Sequence, residues 1–107
     1  ILPPPRPKEI TVEMIQKSVA NHYGLKITDL LSKKRNKQFA FPRQIAMYVC
    51  RQLTDASYPQ IGQQFGNRDH TTVLYAYTKI EKKVKENNDL NKKITKLCKE
   101  IDPNYHS

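Results

Sequence analysis

Residues 57–77 read SYPQIGQQFGNRDHTTVLYAY, two helix-forming segments that meet at a Gly-Asn-Arg corner. Ser57 and Pro59 fit the start of a short helix, and Gly66 fits its end. Asp69 fits the N-cap of a longer helix. A short helix, a tight turn containing glycine and a longer helix form the outline of a helix-turn-helix, in which the second helix enters the major groove of DNA.

The first turn of the second helix carries the polar side chains Arg-Asp-His-Thr-Thr, residues 68–72. Thr71 and Thr72 offer a methyl group to thymine and a hydroxyl to a base or a phosphate, and Asp69 can accept from the amino group of cytosine. His70 can donate or accept. A helix N-terminus also attracts phosphate. For Asp69 the alternative of a capping role alone stays open.

A basic stretch precedes this motif. Residues 32–41 read SKKRNKQFAF, with four cations, no anion and no helical apolar period, so they predict a loop. Pro42 fits the first position of the next helix. We expect Phe39 and Phe41 to anchor the far end of the loop in the core. Arg35 could then enter the minor groove, as the arm of a homeodomain does, although a charge run is also typical of a solvated surface.

The remaining segments predict helices as well, and none shows a convincing strand pattern. Thr11 fits the N-cap of a first helix that Gly24 ends, and Thr28 fits the cap of a short turn over residues 29–31. The sequence therefore predicts an all-α domain. Its apolar stripes consist of Val12, Ile15, Val19, Tyr23, Ile45, Val49, Leu53, Ile61, Phe65, Val73, Tyr77, Ile80, Val84, Leu90, Ile94, Leu97 and Ile101.

Composition limits the possible functions. The chain has 107 residues and a net charge of +9, which favours one small domain with a polyanionic partner over an enzyme with a deep pocket. Cys50 and Cys98 lack the spacing of a zinc or disulfide motif and lie at apolar helical positions, so we expect reduced core residues and no metal site. No segment fits a membrane span or a secretion signal.

The distribution of helix-breaking residues along the sequence suggests three parts. Residues 1–8 predict a proline-rich interdomain linker, residues 9–101 the DNA-binding domain and residues 102–107 a C-terminal tail. The chain begins abruptly without methionine, which suggests a piece of a longer protein with a preceding domain.

Four stretches carry a resemblance to a known family. Residues 65–76 (FGNRDHTTVLYA) look like the signature of the C-terminal DNA-binding domains of the bacterial replication initiator DnaA. Residues 32–36, 41–48 and 58–62 are similar to the family's basic loop, the helix after it and the first helix of its helix-turn-helix. The resemblance covers roughly residues 8–101. Asn67 departs from it, because relatives often have glycine there; asparagine tolerates left-handed backbone, so we expect the corner to survive.

The resemblance implies about six helices around a Trp repressor-like helix-turn-helix with a basic loop. It also implies binding of double-stranded DNA at DnaA boxes, nine base pairs of TTATCCACA type at the replication origin. An upstream AAA+ domain would hold ATP or ADP, so this domain would have no catalytic centre and no cofactor. The isolated domain would be a monomer in the bacterial cytoplasm, at the nucleoid. The full-length protein would self-assemble at the origin and meet regulatory proteins.

The resemblance also assigns site residues, and our own interpretation of the basic residues extends its phosphate set. The expected base contacts are Arg35, Pro59, Asp69, His70, Thr71 and Thr72. The expected phosphate contacts are Lys33, Lys34, Lys37, Arg43, Gln44, Arg51, Arg68 and Thr72.

Three other interpretations stay open. The first is a transcription regulator with an unrelated helix-turn-helix. The second is a basic protein-interaction or membrane-surface module that uses the lysine-rich last helix, although that helix lacks the Trp or Phe of an interfacial helix. The third is an enzyme built on Asp69 and His70, although consecutive helical residues point about 100° apart and should not form a base and its orienting partner.

Overall fold

Six α-helices make up the described part of the chain, residues 9–106 of a computed structural model. No strand occurs within these residues, so the predicted all-α class is confirmed. The predicted linker over residues 1–8 and the final residue of the predicted tail lie outside them. The helices are α1 Val12–His22, α2 Ile27–Leu31, α3 Lys37–Leu53, α4 Tyr58–Gln64, α5 His70–Glu86 and α6 Asn88–Ile101.

Most helix ends follow the capping signals in the sequence. The Thr11 hydroxyl accepts from the Met14 N–H at 3.1 Å at the start of α1. Gly24 follows the end of the same helix and has φ +66°. Ser57 and Gln60 form a reciprocal capping box at the start of α4. These predicted boundaries are confirmed.

Two predicted boundaries in the middle of the chain are wrong. Thr28 lies inside α2 and does not cap it; the N-cap is Lys26, whose N–H donates to the Asp29 carboxylate at 3.0 Å. Similarly, α3 begins at Lys37, so only the first part of the predicted loop is a loop. Pro42 therefore lies within the helix, where its ring removes one hydrogen bond near the helix start.

The core is built around α3, which packs against α5 and against α1. Side chains at the predicted three- and four-residue spacing fill it, and Phe65 is the largest that is fully buried. Cys50 and Cys98 are buried, as predicted, and both are free thiols in this structure. Burial raises the pKa of the Cys50 thiol to about 12 and that of the Cys98 thiol to about 11. Within residues 9–106, no helix is long and apolar enough to cross a bilayer.

Candidate nucleic-acid interface

The corner between α4 and α5 uses two consecutive residues with left-handed backbone. Gly66 has φ +73° and Asn67 has φ +58°. The chain then turns back so that the Arg68 N–H donates to the Gly62 carbonyl at 2.8 Å. Asparagine adopts this conformation more readily than most residues, so the corner forms without a second glycine, as expected.

Close approach explains both glycines of the motif. A Cβ atom on Gly62 would collide with the backbone carbonyl oxygen of Arg68. A Cβ atom on Gly66 would lie 2.6 Å from the carbonyl oxygen of Leu31, which belongs to α2. The corner is thus held tightly against the first helix of the motif and against the segment that leads into the basic loop.

Asp69 ends the corner and caps α5. Its Oδ1 accepts from the Thr71 N–H at 3.3 Å and lies 2.8 Å from His70 Nδ1. The capping role of Asp69 is confirmed. The expectation that Asp69 and His70 point apart is wrong, because Asp69 has extended backbone and lies before the first helical residue, so the helical angle does not apply. Among residues 9–106, no hydroxyl or thiol is hydrogen-bonded to His70.

The first two turns of α5 present an exposed face. The side chains of Asp69 and His70 are 64% and 58% exposed, and Thr71 and Thr72 are exposed as well. Pro59, another predicted base contact, is exposed in the first turn of α4.

Two residues on this face were missed in the sequence. Leu74 and Tyr75 are 45% and 63% exposed, the largest exposed apolar side chains in the described residues. They lie three and four positions after Thr71 and therefore on the same side of α5. That spacing was the signal available in the sequence.

The basic loop between α2 and α3 holds its cations outward. Lys33, Lys34 and Arg35 are exposed, and so is Lys37 at the start of α3. The predicted aromatic anchors differ: Phe41 packs against the core, whereas Phe39 is half-buried with Lys34 Nζ 4.9 Å from its ring centroid.

Arg43 is placed differently from an ordinary phosphate-binding residue. It is only 6% exposed, and its guanidinium donates to four backbone carbonyls at the end of α2 and in the basic loop. Burial and the nearby charge of Arg68 lower its pKa. Its contact to phosphate stays a prediction, with the side chain directed inward. The acceptors are Leu30 at 2.7 Å, Ser32 at 2.8 Å, Lys34 at 3.1 Å and Asp29 at 3.3 Å.

Arg68 reaches the same segment from the corner. Its Nη1 donates to the Phe65 carbonyl and its Nη2 to the Ser32 carbonyl, both at 2.6 Å. The Ser32 carbonyl thus accepts from Arg43 and from Arg68. We call Arg43, Arg68 and the Ser32 carbonyl the arginine clasp, because together they join the basic loop to the helix-turn-helix corner.

Two other predicted phosphate contacts, Gln44 and Arg51, lie on α3. Gln44 lines a cavity of about 70 Å³ between α3 and α5, together with Thr72 and Tyr75. Arg51 is half-buried, donates to the Ala56 carbonyl at 2.8 Å and stacks 4.6 Å from the ring centroid of Tyr58. In residues 9–106, His, Cys, Asp and Glu side chains form no group that would hold a metal ion.

Comparison with known proteins places this geometry in a family. Residues 12–80 match the family described as bacterial dnaA protein helix-turn-helix. The chain is similar to the chromosomal replication initiator protein DnaA of Geotalea daltonii, with 49% identity over 94 residues, and to that of Magnetococcus marinus, with 59% identity over 76 residues. These alignments cover 88% and 71% of this chain but 21% and 17% of the relatives.

A solved structure agrees in fold. A crystal structure of a DNA replication initiation factor superposes with a TM-score of 0.76 at 38% identity, over 84% of this chain and 27% of that one. The chain therefore spans only a fraction of the length of the proteins it matches. Because the family match covers more than half of the chain and includes the corner, α4 and most of α5, the chain belongs to the family of bacterial DnaA helix-turn-helix domains.

Proposed function

We propose that this domain binds double-stranded DNA at DnaA boxes, nine-base-pair sites of TTATCCACA type, and thereby holds a bacterial replication initiator at the chromosomal origin. One observation carries the proposal. The exposed polar start of α5 and the exposed cations of the basic loop lie close together. Arg68, the residue before Asp69, joins them, because its side chain donates a hydrogen bond to the Ser32 carbonyl at the start of the loop. Two DNA-reading elements at this spacing can address adjacent grooves of one duplex.

In this arrangement α5 enters the major groove. Asp69, His70, Thr71 and Thr72 meet base edges from its first turn, and Pro59 approaches from α4. Leu74 and Tyr75 extend the same face with apolar surface, which suits thymine methyl groups and sugars.

The basic loop lies over the neighbouring minor groove, with Arg35 inserted. Phosphate contacts fix the register and come from side chains around the two reading elements. They are Lys33, Lys34, Lys37, Gln44, Arg51 and Thr72. Arg43 and Arg68, which the sequence suggested for the same set, donate to backbone carbonyls of the basic loop and hold it in place.

The wider assignment rests on the relatives. The relatives are much longer than this chain, and the family resemblance implies an upstream AAA+ domain that binds ATP or ADP, joined through a linker at residues 1–8, while residues 9–101 bind DNA as a monomer. Self-assembly at the origin and contacts with regulatory proteins belong to the full-length protein, which we place in the cytoplasm at the nucleoid. No catalytic, cofactor or metal role is assigned to this domain.

A salt titration tests the proposal directly. Binding is measured to a labelled duplex that holds TTATCCACA and to a scrambled duplex of equal composition, over a range of salt concentrations. We expect tight binding to the first and weaker binding to the second, both weakening with salt because bound phosphates release counterions. Equal, steeply salt-dependent binding to both duplexes would leave a generic polycation and contradict the proposal.

Substitutions at Arg35 and Lys37 should distinguish base recognition from phosphate binding. Arg35→Ala should reduce discrimination between the two duplexes by about 1 to 3 kcal/mol, because a base contact is lost. Lys37→Ala should weaken binding to both alike and flatten the salt dependence by about one unit. Equal effects of the two variants on both duplexes would remove this division of roles.

A substitution at Thr71 tests whether this residue recognises a thymine base. Thr71→Ala removes an exposed hydroxyl and methyl and leaves the backbone N–H that Asp69 caps, so we expect relaxed preference at one thymine position and an unchanged melting temperature. Binding to duplexes with each thymine replaced in turn, alongside thermal denaturation, measures both. A large drop in melting temperature would make Thr71 a structural residue.

A further inference from the structure

The arginine clasp joins two parts of the molecule that are far apart in sequence. Arg68 lies in the corner immediately before Asp69, and its Nη2 crosses to the carbonyl of Ser32 at 2.6 Å. Ser32 is three residues before Arg35 in the basic loop. One guanidinium therefore spans from the start of the proposed major-groove helix to the loop that carries the proposed minor-groove arginine.

The hydrogen bonds of the clasp use both terminal nitrogen atoms, Nη1 and Nη2, of each guanidinium group. Arg43 donates through Nε, Nη1 and Nη2 from a buried position, and Arg68 donates through Nη1 and Nη2. Burial lowers the pKa of both side chains, because the charged guanidinium is less well solvated there than in water. A guanidinium suits this task because its rigid fork can serve several carbonyls at once, which a lysine ammonium on a flexible stem does not reproduce.

We propose that Arg68, supported by Arg43, is a positioning residue: it fixes the basic loop relative to the start of α5 and so controls minor-groove reading by Arg35 without contacting DNA itself. This inference rests on the proposed function and refines the role of two residues that the sequence placed among phosphate contacts. A displaced loop would leave Arg35 charged and exposed but unable to reach its bases while α5 occupies the major groove.

The test uses a substitution that keeps the charge. Arg68→Lys retains a cation for any phosphate but cannot donate to the Phe65 and Ser32 carbonyls in the same geometry. Gln16→Met is the control. Gln16 is buried in α1 and is not among the proposed DNA contacts, and the substitution removes its hydrogen bond to the Gln64 carbonyl at the end of α4.

Minor-groove reading can be measured in isolation with modified base pairs. An inosine-cytosine pair and a guanine-cytosine pair differ only by the guanine amino group in the minor groove. Each A·T pair of the box is replaced in turn by both, and the ratio of the two affinities is determined for each protein. Partial unfolding weakens binding to both duplexes equally and cancels from the ratio, so a purely structural role would leave it unchanged.

We expect the wild-type domain to bind the guanine duplex about tenfold more weakly than the inosine duplex at the positions that Arg35 reads, in line with the usual cost of a mismatched contact. Arg35→Ala and Arg68→Lys should each bring this ratio close to one, and the double variant should differ little from either. Gln16→Met should keep the wild-type ratio, because it disturbs packing near α4 without touching the clasp.

Three results would overturn the inference. If Arg68→Lys keeps the wild-type ratio, the clasp does not position Arg35, and the proposed function stands. If Arg68→Ala instead flattens the salt dependence by about one unit, Arg68 is a phosphate contact. A wild-type ratio of one at every position, with intact preference for the box over a scrambled duplex, would mean that no minor-groove reading exists for the clasp to support.

Discussion

Alanine at Phe65 should lower the free energy of unfolding by about 3 to 5 kcal/mol, the largest effect we expect from any single side-chain truncation in the domain. Phe65 is completely buried at the end of α4, and it is the largest fully buried side chain. Its removal leaves a cavity beneath the helix-turn-helix corner, where surrounding backbone is held by short hydrogen bonds and cannot collapse freely.

Urea denaturation of the wild-type and variant domains measures this change, with Leu74→Ala as the control. Leu74 is 45% exposed on α5, and alanine is an equally good helix former, so the control should stay within about 0.5 kcal/mol of wild type. A loss below about 1 kcal/mol for Phe65→Ala would show that the corner repacks around the missing ring.

Alanine at Gly62 should also destabilise the domain, by about 2 kcal/mol or more, although the same substitution inside an ordinary helix is stabilising by roughly 0.5 to 1 kcal/mol. The added Cβ meets the Arg68 carbonyl oxygen, which is backbone and cannot rotate away. To relieve the collision, α4 and the corner must separate, and this stretches the hydrogen bond between the Arg68 N–H and the Gly62 carbonyl.

Gly24→Ala provides the comparison for this prediction. Gly24 has φ +66° and open space around its Cα, so alanine there costs only backbone strain, about 1 kcal/mol. Thermal denaturation of both variants separates collision from strain. A Gly62→Ala domain as stable as wild type would mean that the corner opens at little cost and that the close approach has no role in the motif.

The helix-turn-helix could be predicted in detail because its signals are local. Ser57, Gly66 and Asp69 each act on backbone within three residues of themselves, and the structure places a helix boundary at each. The apolar stripes were equally clear, since four-residue spacing on a helix marks a buried face without reference to the rest of the chain.

The start of α3 could not be predicted in this way. Pro42 is typical of a first helical turn, and the residues before it are mostly cationic or polar. The structure nevertheless begins the helix at Lys37, where the Asn36 carbonyl accepts from the N–H groups of Phe39 and Ala40 at 2.9 and 2.8 Å. Packing of Phe41 against the core stabilises this extra turn, and such tertiary contacts have no local signature.

The two clasp arginines show a similar limit for the site. Charge in a basic protein suggests an exposed contact to an anion, and arginine is almost never fully buried unless it is paired. Arg43 is paired with carbonyls instead of carboxylates. Those acceptors belong to the backbone, which the sequence of side chains does not reveal.

The two native cysteines make the domain suitable for site-specific labelling. Only the thiolate reacts with maleimide or iodoacetamide reagents, and a thiol with a pKa of about 12 or 11 is almost entirely protonated near neutral pH. Both sulfur atoms are also enclosed by the core. A cysteine introduced at an exposed position such as Lys33 would therefore take up a fluorophore selectively in the otherwise unaltered protein, and a second dye on the duplex would report how far the basic loop sits from the DNA.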